Sequence, residues 1–535
     1  MAQGAGRRAW GTLLLLTLVA SVSLLDRQII TILAVDIKRD LGLNDSEIGL
    51  VYGTFFAVFY ALFSIPLGRL ADGWIRTRQI AISLVGWSAA TVGCAFATGF
   101  GSLASARIGV AIGEAGAGPS AYSLIADIFP KRQRATAFAI YGASAGIGIG
   151  LSMALGGLVV DAWNSSFPGG RGWLGLAGWQ AAFIVAALPG FVLAALMLFC
   201  REPQRGESEG LVQPNDPQPF RRAGDELLAL VPPLSLWSLR RLKAGRGAYL
   251  WNIAALACAI GLIAGATFAV HGIVPPGALS VYGTFAGLPL TSHLIQWAVL
   301  GFGCYVAFSW VQSQRLRDMP AFAIMWSSRA YIAILVVAAF NLMVNYAYVA
   351  WAAPFAVQQY GTPLSEVGIK LGIAAVIAGG GGTILGGWLA DKARARLMTG
   401  RLWVLLFTTA VPVPMAFITL SQPDFDGFLL WFVASSIILT GFLPCCTATL
   451  HDLVLPRMRG SAVAIMYLGI TIIGMGTGPY MVGLISDITG DLGTGIRSIF
   501  VSSAITWAAI FVAIRALAKD ETTLIARARA AGENI

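Results

Sequence analysis

Two segments of the chain repeat one another, and this repeat decides the fold. Residues 46–72 read SEIGLVYGTFFAVFYALFSIPLGRLAD, and residues 365–391 read SEVGIKLGIAAVIAGGGGTILGGWLAD. Eight positions are identical at a constant offset of 319 residues, ending with the pair Asp72 and Asp391. A duplication in one register without a gap predicts two copies of one structural unit in the same orientation.

The composition excludes a water-soluble globular protein. Of 535 residues, 57% are hydrophobic and 12% are charged, against about a quarter charged in soluble domains. The mean hydropathy of +0.74 indicates a membrane protein. The six cysteines lie in or beside apolar runs without C-x-x-C spacing or histidine partners. We therefore expect no disulfide framework, no metal site and no cofactor.

A membrane-spanning helix needs about 20 apolar residues, because lipid offers no hydrogen-bond partners to the backbone. The sequence predicts fourteen such spans, of which the first six and the last six form the two copies and the middle two are an insertion. Their expected bounds are 10–35, 48–70, 79–100, 103–127, 135–160, 179–200, 248–270, 291–312, 328–353, 366–389, 402–420, 428–450, 460–484 and 496–518.

The loops between these spans differ in charge from one side of the membrane to the other. Most of the 36 Lys and Arg fall on the side of Arg7 and Arg8. The opposite side carries Lys38, Arg39, Arg171, Lys370 and Arg497. The positive-inside rule predicts a multi-pass protein of the plasma membrane, the inner membrane in a bacterium, with both termini cytoplasmic. The net charge of +10 thus sets topology and does not indicate nucleic-acid binding.

The polar stretch after the sixth span divides the chain. The predicted organisation is an N-terminal six-helix lobe at 1–200, a cytoplasmic linker with a surface amphipathic helix at 201–247, an inserted pair of membrane helices at 248–320, a C-terminal six-helix lobe at 321–520 and a cytoplasmic tail at 521–535.

The motif G-x-L-A-D with following basic residues, and D-x-x-P with Arg after the fourth helix of each half, resembles the major facilitator superfamily. The motif departs from the family pattern at Gly73 and Ile75, where a basic residue and a glycine are common. In the N-terminal half, LDRQIITI at 25–32 and RIGVAIGEAGAGPSAYSLIADIFP at 107–130 are similar to the Spinster branch. The resemblance implies an all-α polytopic membrane protein with two six-helix lobes related as parallel repeats. It further implies a cargo such as a lysophospholipid or a sphingoid phosphate.

The resemblance also implies a cytoplasmic latch, in which ion pairs and helix dipoles hold the inward side closed. A second echo at an offset of 325 residues contributes to it in both halves. The latch residues are Gly68, Asp72, Arg76, Asp127 and Arg134 in the first half and Asp391, Arg394, Asp452 and Arg459 in the second. The alternative is that these charges only set topology.

Four charged residues lie inside predicted spans, where each costs about 2.5–3.5 kcal/mol to insert. They are Asp26, Arg27, Arg107 and Glu114, and helix geometry places Asp26 and Glu114 at one depth near the midplane. A carboxyl group can exchange a proton when its surroundings alternate between water and protein, so Asp26 and Glu114 are the proton-coupling candidates.

The guanidinium fork suits a phosphate or carboxylate, so Arg107 and Arg27 are predicted to bind substrate, with Tyr346 lining the cavity. Two alternatives stay open. Arg107 and Glu114 could form an ion pair that only holds helices together, and Tyr346 could serve only packing.

These observations predict a secondary active transporter, not an enzyme, that moves an amphiphile with an anionic headgroup by alternating access and in a proton-linked manner. Its partners are the amphiphile, protons and the lipid bilayer, and the chain is expected to be a monomer. The alternatives are a proton-coupled symporter of a small organic anion and a multidrug exporter of the same fold. A membrane-embedded lipid enzyme is disfavoured, because no nucleophile–base pair or metal cluster is visible.

Overall fold

The computed structural model describes residues 6–205, 216–275, 279–285 and 288–533. Within these ranges, twelve helices are long and apolar enough to cross a membrane. Predicted spans three and four coincide with helices as well, but the first is less apolar and the second is interrupted at residues 115–116. The all-α polytopic fold is confirmed, and the count of fourteen spans stays a prediction.

The helices of the first half run up to the polar stretch. They are α1 (Arg7–Leu41), α2 (Asp45–Gly73), α3 (Arg76–Ala95), α4 (Phe100–Glu114), α5 (Ala117–Ile128), α6 (Lys131–Gly142), α7 (Ser144–Ser166), α8 (Gly178–Leu198), α9 (Pro219–Leu230) and α10 (Leu234–Arg241). The second group comprises α11 (Arg246–Ile273), α12 (Ser292–Arg317), α13 (Met319–Trp326), α14 (Arg329–Tyr360), α15 (Leu364–Arg394), α16 (Gly400–Thr419), α17 (Phe425–Asp452), α18 (Pro456–Thr489), α19 (Leu492–Thr522) and α20 (Leu524–Ala530).

The junction between α1 and α2 shows how the sequence sets helix ends. Gly42 adopts a left-handed conformation with φ of 66°, and its N–H donates to the carbonyl of Lys38, which is the usual way a glycine ends a helix. Asn44 then accepts a hydrogen bond from the N–H of Glu47 at 2.8 Å. The Glu47 side chain accepts in turn from the Asn44 N–H at 3.1 Å. This capping box starts α2 within two residues of the end of α1.

Three membrane helices contain a stretch of π-helix. These stretches are Leu50–Phe55 in α2, Ile377–Gly381 in α15 and Ile470–Met475 in α18. Each π turn shifts the helix face by one residue, and such turns occur often at functional positions.

A β-hairpin joins the two inserted helices α11 and α12. Its strands are β1 (Val281–Phe285) and β2 (Leu288–Thr291), which pair antiparallel with an irregular register after Val281. The hairpin is tied to the start of α2, where the Tyr282 hydroxyl donates to the Glu47 carboxylate. Burial raises the pKa of Tyr282, so the hydroxyl keeps the proton that it donates.

The chain forms two compact units. The first unit contains residues 1–43, 59–227 and 353–376, and the second contains 44–58, 228–352 and 377–535. The inserted pair thus belongs to the second unit. Each unit also takes the first part of a repeated helix from the other half of the sequence, since 44–58 begins α2 and 353–376 includes the start of α15.

In the first unit, α7 packs against the start of α15 through glycines. A Cβ at Gly372 would lie 2.6 Å from the carbonyl oxygen of Gly150, so the two backbones touch. Such close approach is typical of small residues between membrane helices. Asp161, near the end of α7, accepts a hydrogen bond at 2.8 Å from the N–H of Ser365 at the start of α15.

The second unit contains the matching contact. A Cβ at Gly49 in α2 would lie 2.5 Å from the carbonyl oxygen of Pro479 in α18. Asp487, near the end of α18, accepts hydrogen bonds from the N–H groups of Asp45 at 2.9 Å and Ser46 at 2.8 Å. The carboxylate thereby satisfies two of the unpaired donors at the N-terminus of α2.

Candidate functional site

The predicted charged residues meet where α1 and α4 pack together in the first unit. Arg27 Nη2 lies 2.7 Å from Glu114 Oε2, and Arg27 Nε donates to the same oxygen at 3.2 Å. The Ser23 hydroxyl donates to that oxygen at 2.8 Å. Glu114 therefore has a cation and a hydroxyl as partners, both from the neighbouring helix α1.

Arg107 has a different role from either sequence-based interpretation. Its Nη1 donates to the backbone carbonyl of Asp26 at 2.9 Å, and its Nη2 donates to the carbonyl of Arg27 at 2.9 Å. The side chain is completely buried. The expected ion pair of Arg107 with Glu114 is wrong in this structure, because Arg27 occupies that position. Arg107 instead fixes the part of α1 that carries Asp26 and Arg27.

Asp26 is completely buried between the same elements. Glu114 and Arg107 are the charged groups that act on it, and Trp87 and Thr91 of α3 lie close by. Neither carboxylate oxygen of Asp26 accepts a hydrogen bond of ordinary geometry from a described residue. A buried carboxyl group without such bonds is costly to keep charged, so proton uptake there has a physical reason.

Arg27 is the accessible member of this cluster. Its side chain is 15% exposed, whereas that of Glu114 is 0% exposed. The guanidinium lies over the ring of Tyr60 in α2, 5.0 Å from the ring centroid, in a cation–π arrangement. We name the set of Ser23, Asp26, Arg27, Arg107 and Glu114, with Tyr60, the charged cluster.

Tyr346 lies in α14, in the second unit. It is half-buried and stacks on Tyr52 of α2, with the ring centroids 5.0 Å apart and the planes 10° apart. Its neighbours Tyr348 and Trp351 are buried and serve packing. The hydroxyl of Tyr348 lies 3.2 Å from Ser435 Oγ, and the indole of Trp351 donates to the carbonyl of Pro479 at 3.0 Å.

Arg76 is the centre of a second charged group, at the loop between α2 and α3. It is completely buried and pairs with Asp127 and with Glu202, whose Oε1 lies 2.8 Å from Arg76 Nε. It also donates to Ser123 Oγ at 2.7 Å and to the carbonyl of Pro203 at 3.1 Å. Five predicted or new partners thus converge on one guanidinium, which ties α3 to the ends of α5 and α8.

The second unit contains a corresponding group around Arg401. Arg401 Nη1 lies 2.5 Å from Asp452 Oδ2, and its Nη2 lies 3.1 Å from Asp391 Oδ1. Arg394 lies 3.9 Å from Asp452 and pairs with Glu521 after the last membrane helix turn. The predicted latch residues of this half are therefore joined, with Arg401 and Glu521 as members that the sequence reasoning missed.

Other predicted latch contacts differ from expectation. Asp72 lies 3.8 Å from Arg69 of its own helix, and Arg76 pairs with other acids. Arg134 donates to the carbonyl of Ala126 at 2.8 Å. Arg459 is exposed, and a Cβ at Gly68 would meet only ordinary contacts. Glu202 and Glu521 follow the last helix of each half at the repeat offset of 319 residues, which is the signal that could have identified them.

Comparison with known proteins agrees with this architecture. The family model of the Major Facilitator Superfamily matches residues 16–420 and 334–534. An MFS-type efflux pump of Mycolicibacterium smegmatis is 26% identical over 489 residues, which cover 91% of this chain and 87% of the relative. Protein spinster of Drosophila melanogaster is 28% identical over 205 residues, which cover 38% of this chain and 32% of that protein.

The fold is also similar to a solved structure. The crystal structure of a bacterial homologue of the human lysosomal transporter Spinster, in an inward-facing and unoccupied conformation, has a TM-score of 0.71. It is 23% identical, and the alignment covers 97% of this chain and 99% of that chain. The resemblance to the Spinster branch is confirmed. The chain belongs to the Major Facilitator Superfamily and is a membrane transporter, not an enzyme.

Proposed function

We propose that this transporter moves an amphiphile with an anionic headgroup, of the lysophospholipid or sphingoid phosphate type, by alternating access coupled to protons. The observation that carries the proposal is the ion pair of Arg27 and Glu114 at membrane depth, beside the second buried carboxyl group of Asp26. An arginine there can receive an anion, and two carboxyl groups there can receive protons.

The pair links the two processes. An anionic headgroup that binds Arg27 competes with Glu114 for the same guanidinium. Glu114 would then be a buried carboxylate without a cation, which is strongly unfavourable unless it takes up a proton. Binding of the anion and protonation of Glu114 therefore favour one another, which is a coupling free energy between two ligands.

The other predicted site residues support this exchange. Arg107 positions Asp26 and Arg27 through their carbonyls, and direct headgroup contact by Arg107 requires those two bonds to open. Asp26 is the second proton acceptor. Tyr346, stacked on Tyr52, provides an aromatic surface for the apolar part of the cargo. The groups around Arg76 and Arg401 are proposed to act as the latch.

Reconstitution into proteoliposomes with a lysophospholipid as cargo tests the proposal. We expect Glu114→Gln and Asp26→Asn to retain uptake of the lipid while losing its dependence on a pH gradient. Arg27→Ala is expected to lose cargo binding by about tenfold or more, as for one charge-assisted contact. Glu366→Gln is the matched control, because that carboxylate is 45% exposed and pairs with Lys370 in its own helix. Unchanged proton dependence in both carboxyl variants would contradict the coupling.

A second candidate is export of a drug or symport of a small organic anion. The relative that matches nearly the whole chain is named an efflux pump, whereas the match to Drosophila spinster covers about a third of it. A thermal-shift screen of lysolipids, sphingoid phosphates, organic anions and cationic drugs distinguishes the candidates. Stabilisation by cationic drugs alone would favour the efflux function and exclude the anionic lipid.

A further inference from the structure

We propose that the inserted helix pair holds an anionic phospholipid of the surrounding bilayer in a cavity formed by α11, α12 and α13. The cavity has a volume of about 530 Å³ and lies where α11 begins, α12 ends and α13 follows. None of its lining residues belongs to the charged cluster or to the latch groups. It is therefore a site separate from the proposed transport path.

The wall of the cavity is apolar and open to lipid. Trp251 is 66% exposed and Met319 is 50% exposed, and Phe308 and Val311 line the wall between them. α11 has the smallest buried share of the twelve membrane helices, 17% of its most apolar window. Large apolar side chains on such a peripheral helix are suited to acyl chains.

Arg315 supplies the charge at the polar end. It lies in the last turn of α12, and its guanidinium is 5.1 Å from the ring centroid of Phe322. No acidic residue lines the cavity, and Arg315 forms no ion pair with any residue in the described ranges. A guanidinium held over an aromatic ring without a carboxylate partner is available to a phosphate.

The backbone at the start of α11 leaves room for that phosphate. No side chain caps the helix at Gly245, and a Cβ at Gly245 or Gly247 would meet nothing within 4 Å. The N-terminal N–H groups of this 28-residue helix face the same region as Arg315 and favour an anion. The chain just before Gly245 adds Arg240, Arg241 and Lys243, which attract anionic headgroups at about 1 kcal/mol for each cation near the surface.

Buried hydrogen bonds keep the cavity in shape. Gln312, which lines it, donates to the carbonyl of Ala248 at 2.8 Å and accepts from Asn252 at 2.9 Å. Asn252 accepts in turn from the hydroxyl of Tyr305 at 2.8 Å. These bonds cross-link α11 to α12, so the site exists before the lipid arrives and little ordering is needed on binding.

Native mass spectrometry of the purified full-length protein tests the proposal, with phosphatidylglycerol and phosphatidylcholine of equal chain length as probes. We expect preferential retention of phosphatidylglycerol. Arg315→Ala is expected to weaken it about tenfold, the effect of one charge-assisted contact. Arg317→Ala is the matched control, because it removes a cation from the same helix end that does not line the cavity.

Three results would overturn the proposal. They are equal retention of both lipids by the wild type, equal loss in the two arginine variants, and displacement of phosphatidylglycerol by millimolar inorganic phosphate, which would indicate a site for a free anion. If Arg315→Ala does not fold, as judged by thermal unfolding in lipid-free detergent, Arg315→Gln provides the same comparison. Trp251→Ser is expected to reduce retention of both lipids alike, and unchanged retention would count against the apolar wall.

Discussion

Arg401 and Asp452 form an ion pair of 2.5 Å and are separated by 51 positions, the same separation that joins Arg76 to Asp127. The two arginines differ by 325 residues, as do the two aspartates. The duplication has therefore kept one three-dimensional contact in both halves. Such a contact needs both partners, so the loss of either arginine leaves a carboxylate without its cation.

Arg76→Ala should destabilise the first unit by about 3–5 kcal/mol, because the arginine is completely buried and its removal leaves two carboxylates unpaired. Thermal unfolding in detergent measures the effect. Arg78→Ala is the control, since Arg78 carries the same charge two residues away and is exposed. Equal melting temperatures of the two variants would show that Arg76 only sets topology.

Arg401→Ala should cost less, about 1 kcal/mol, because its partners Asp452 and Asp391 are 34% and 74% exposed. The comparison variant is Arg396→Ala in the same loop, where the side chain is exposed. If the latch hypothesis holds, Arg401→Ala also changes the transport rate more than its stability. A transport rate equal to that of Arg396→Ala would leave topology as the role of this group.

Gly372→Val should destabilise the contact between α7 and α15 by about 2 kcal/mol or more, because the added atoms overlap the carbonyl of Gly150. Gly380→Ala in the same helix is the control, since a Cβ there meets nothing within 4 Å. The measurement is thermal unfolding of both proteins in one detergent. Similar unfolding temperatures would mean that the two helices are not closely packed.

Asp318→Asn tests a charge effect outside the membrane helices. Arg457 donates to the Asp318 carboxylate and holds the pKa of that group below its usual value. Its contribution is therefore present above the unfolded pKa of about 3.9 and is lost as pH falls through the lower folded pKa. The carboxylate is 40% exposed, so solvent screening limits the contribution to about 0.5 kcal/mol.

Asn can still accept the hydrogen bond that Asp318 accepts from the N–H of Ala321 at 3.0 Å, so this variant changes only the charge. We expect the wild type to be the more stable protein at pH 7 and the two proteins to be equal near pH 3. Chemical unfolding at the two pH values gives the comparison. A stability difference that persists at pH 3 would assign the effect to the cap.

The sequence predicted the duplication, the family and the charged residues at membrane depth, because these depend on spacing and composition along the chain. It did not predict that Arg27, and not Arg107, pairs with Glu114. Helical periodicity gives the face of one helix, whereas the partner of Glu114 comes from a second helix whose rotation the sequence does not determine. Arg401 was missed for a related reason, since it follows the offset of 325 and the loop was aligned at 319.

The β-hairpin was missed because its turn lacks the Asn-Gly or Asp-Gly pair that signals a two-residue hairpin, and because residues 271–290 were interpreted as a loop. Its contact with Glu47 depends on the tertiary structure. Predicted spans three and four were placed correctly as helices, although polar residues and the interruption at 115–116 separate them from the twelve clear membrane helices.

The length of α11 has a mechanical consequence. Its 28 residues extend about 42 Å at 1.5 Å per residue, whereas the hydrocarbon core of a bilayer is about 30 Å thick. A helix with so few protein contacts can relieve this hydrophobic mismatch by tilting. The tilt would change with bilayer thickness and would pull on the hairpin that follows α11, and through Tyr282 on the first turn of α2. The inserted pair could thus make the rate of the transporter depend on the thickness of the membrane around it, which reconstitution in lipids of graded acyl length would measure.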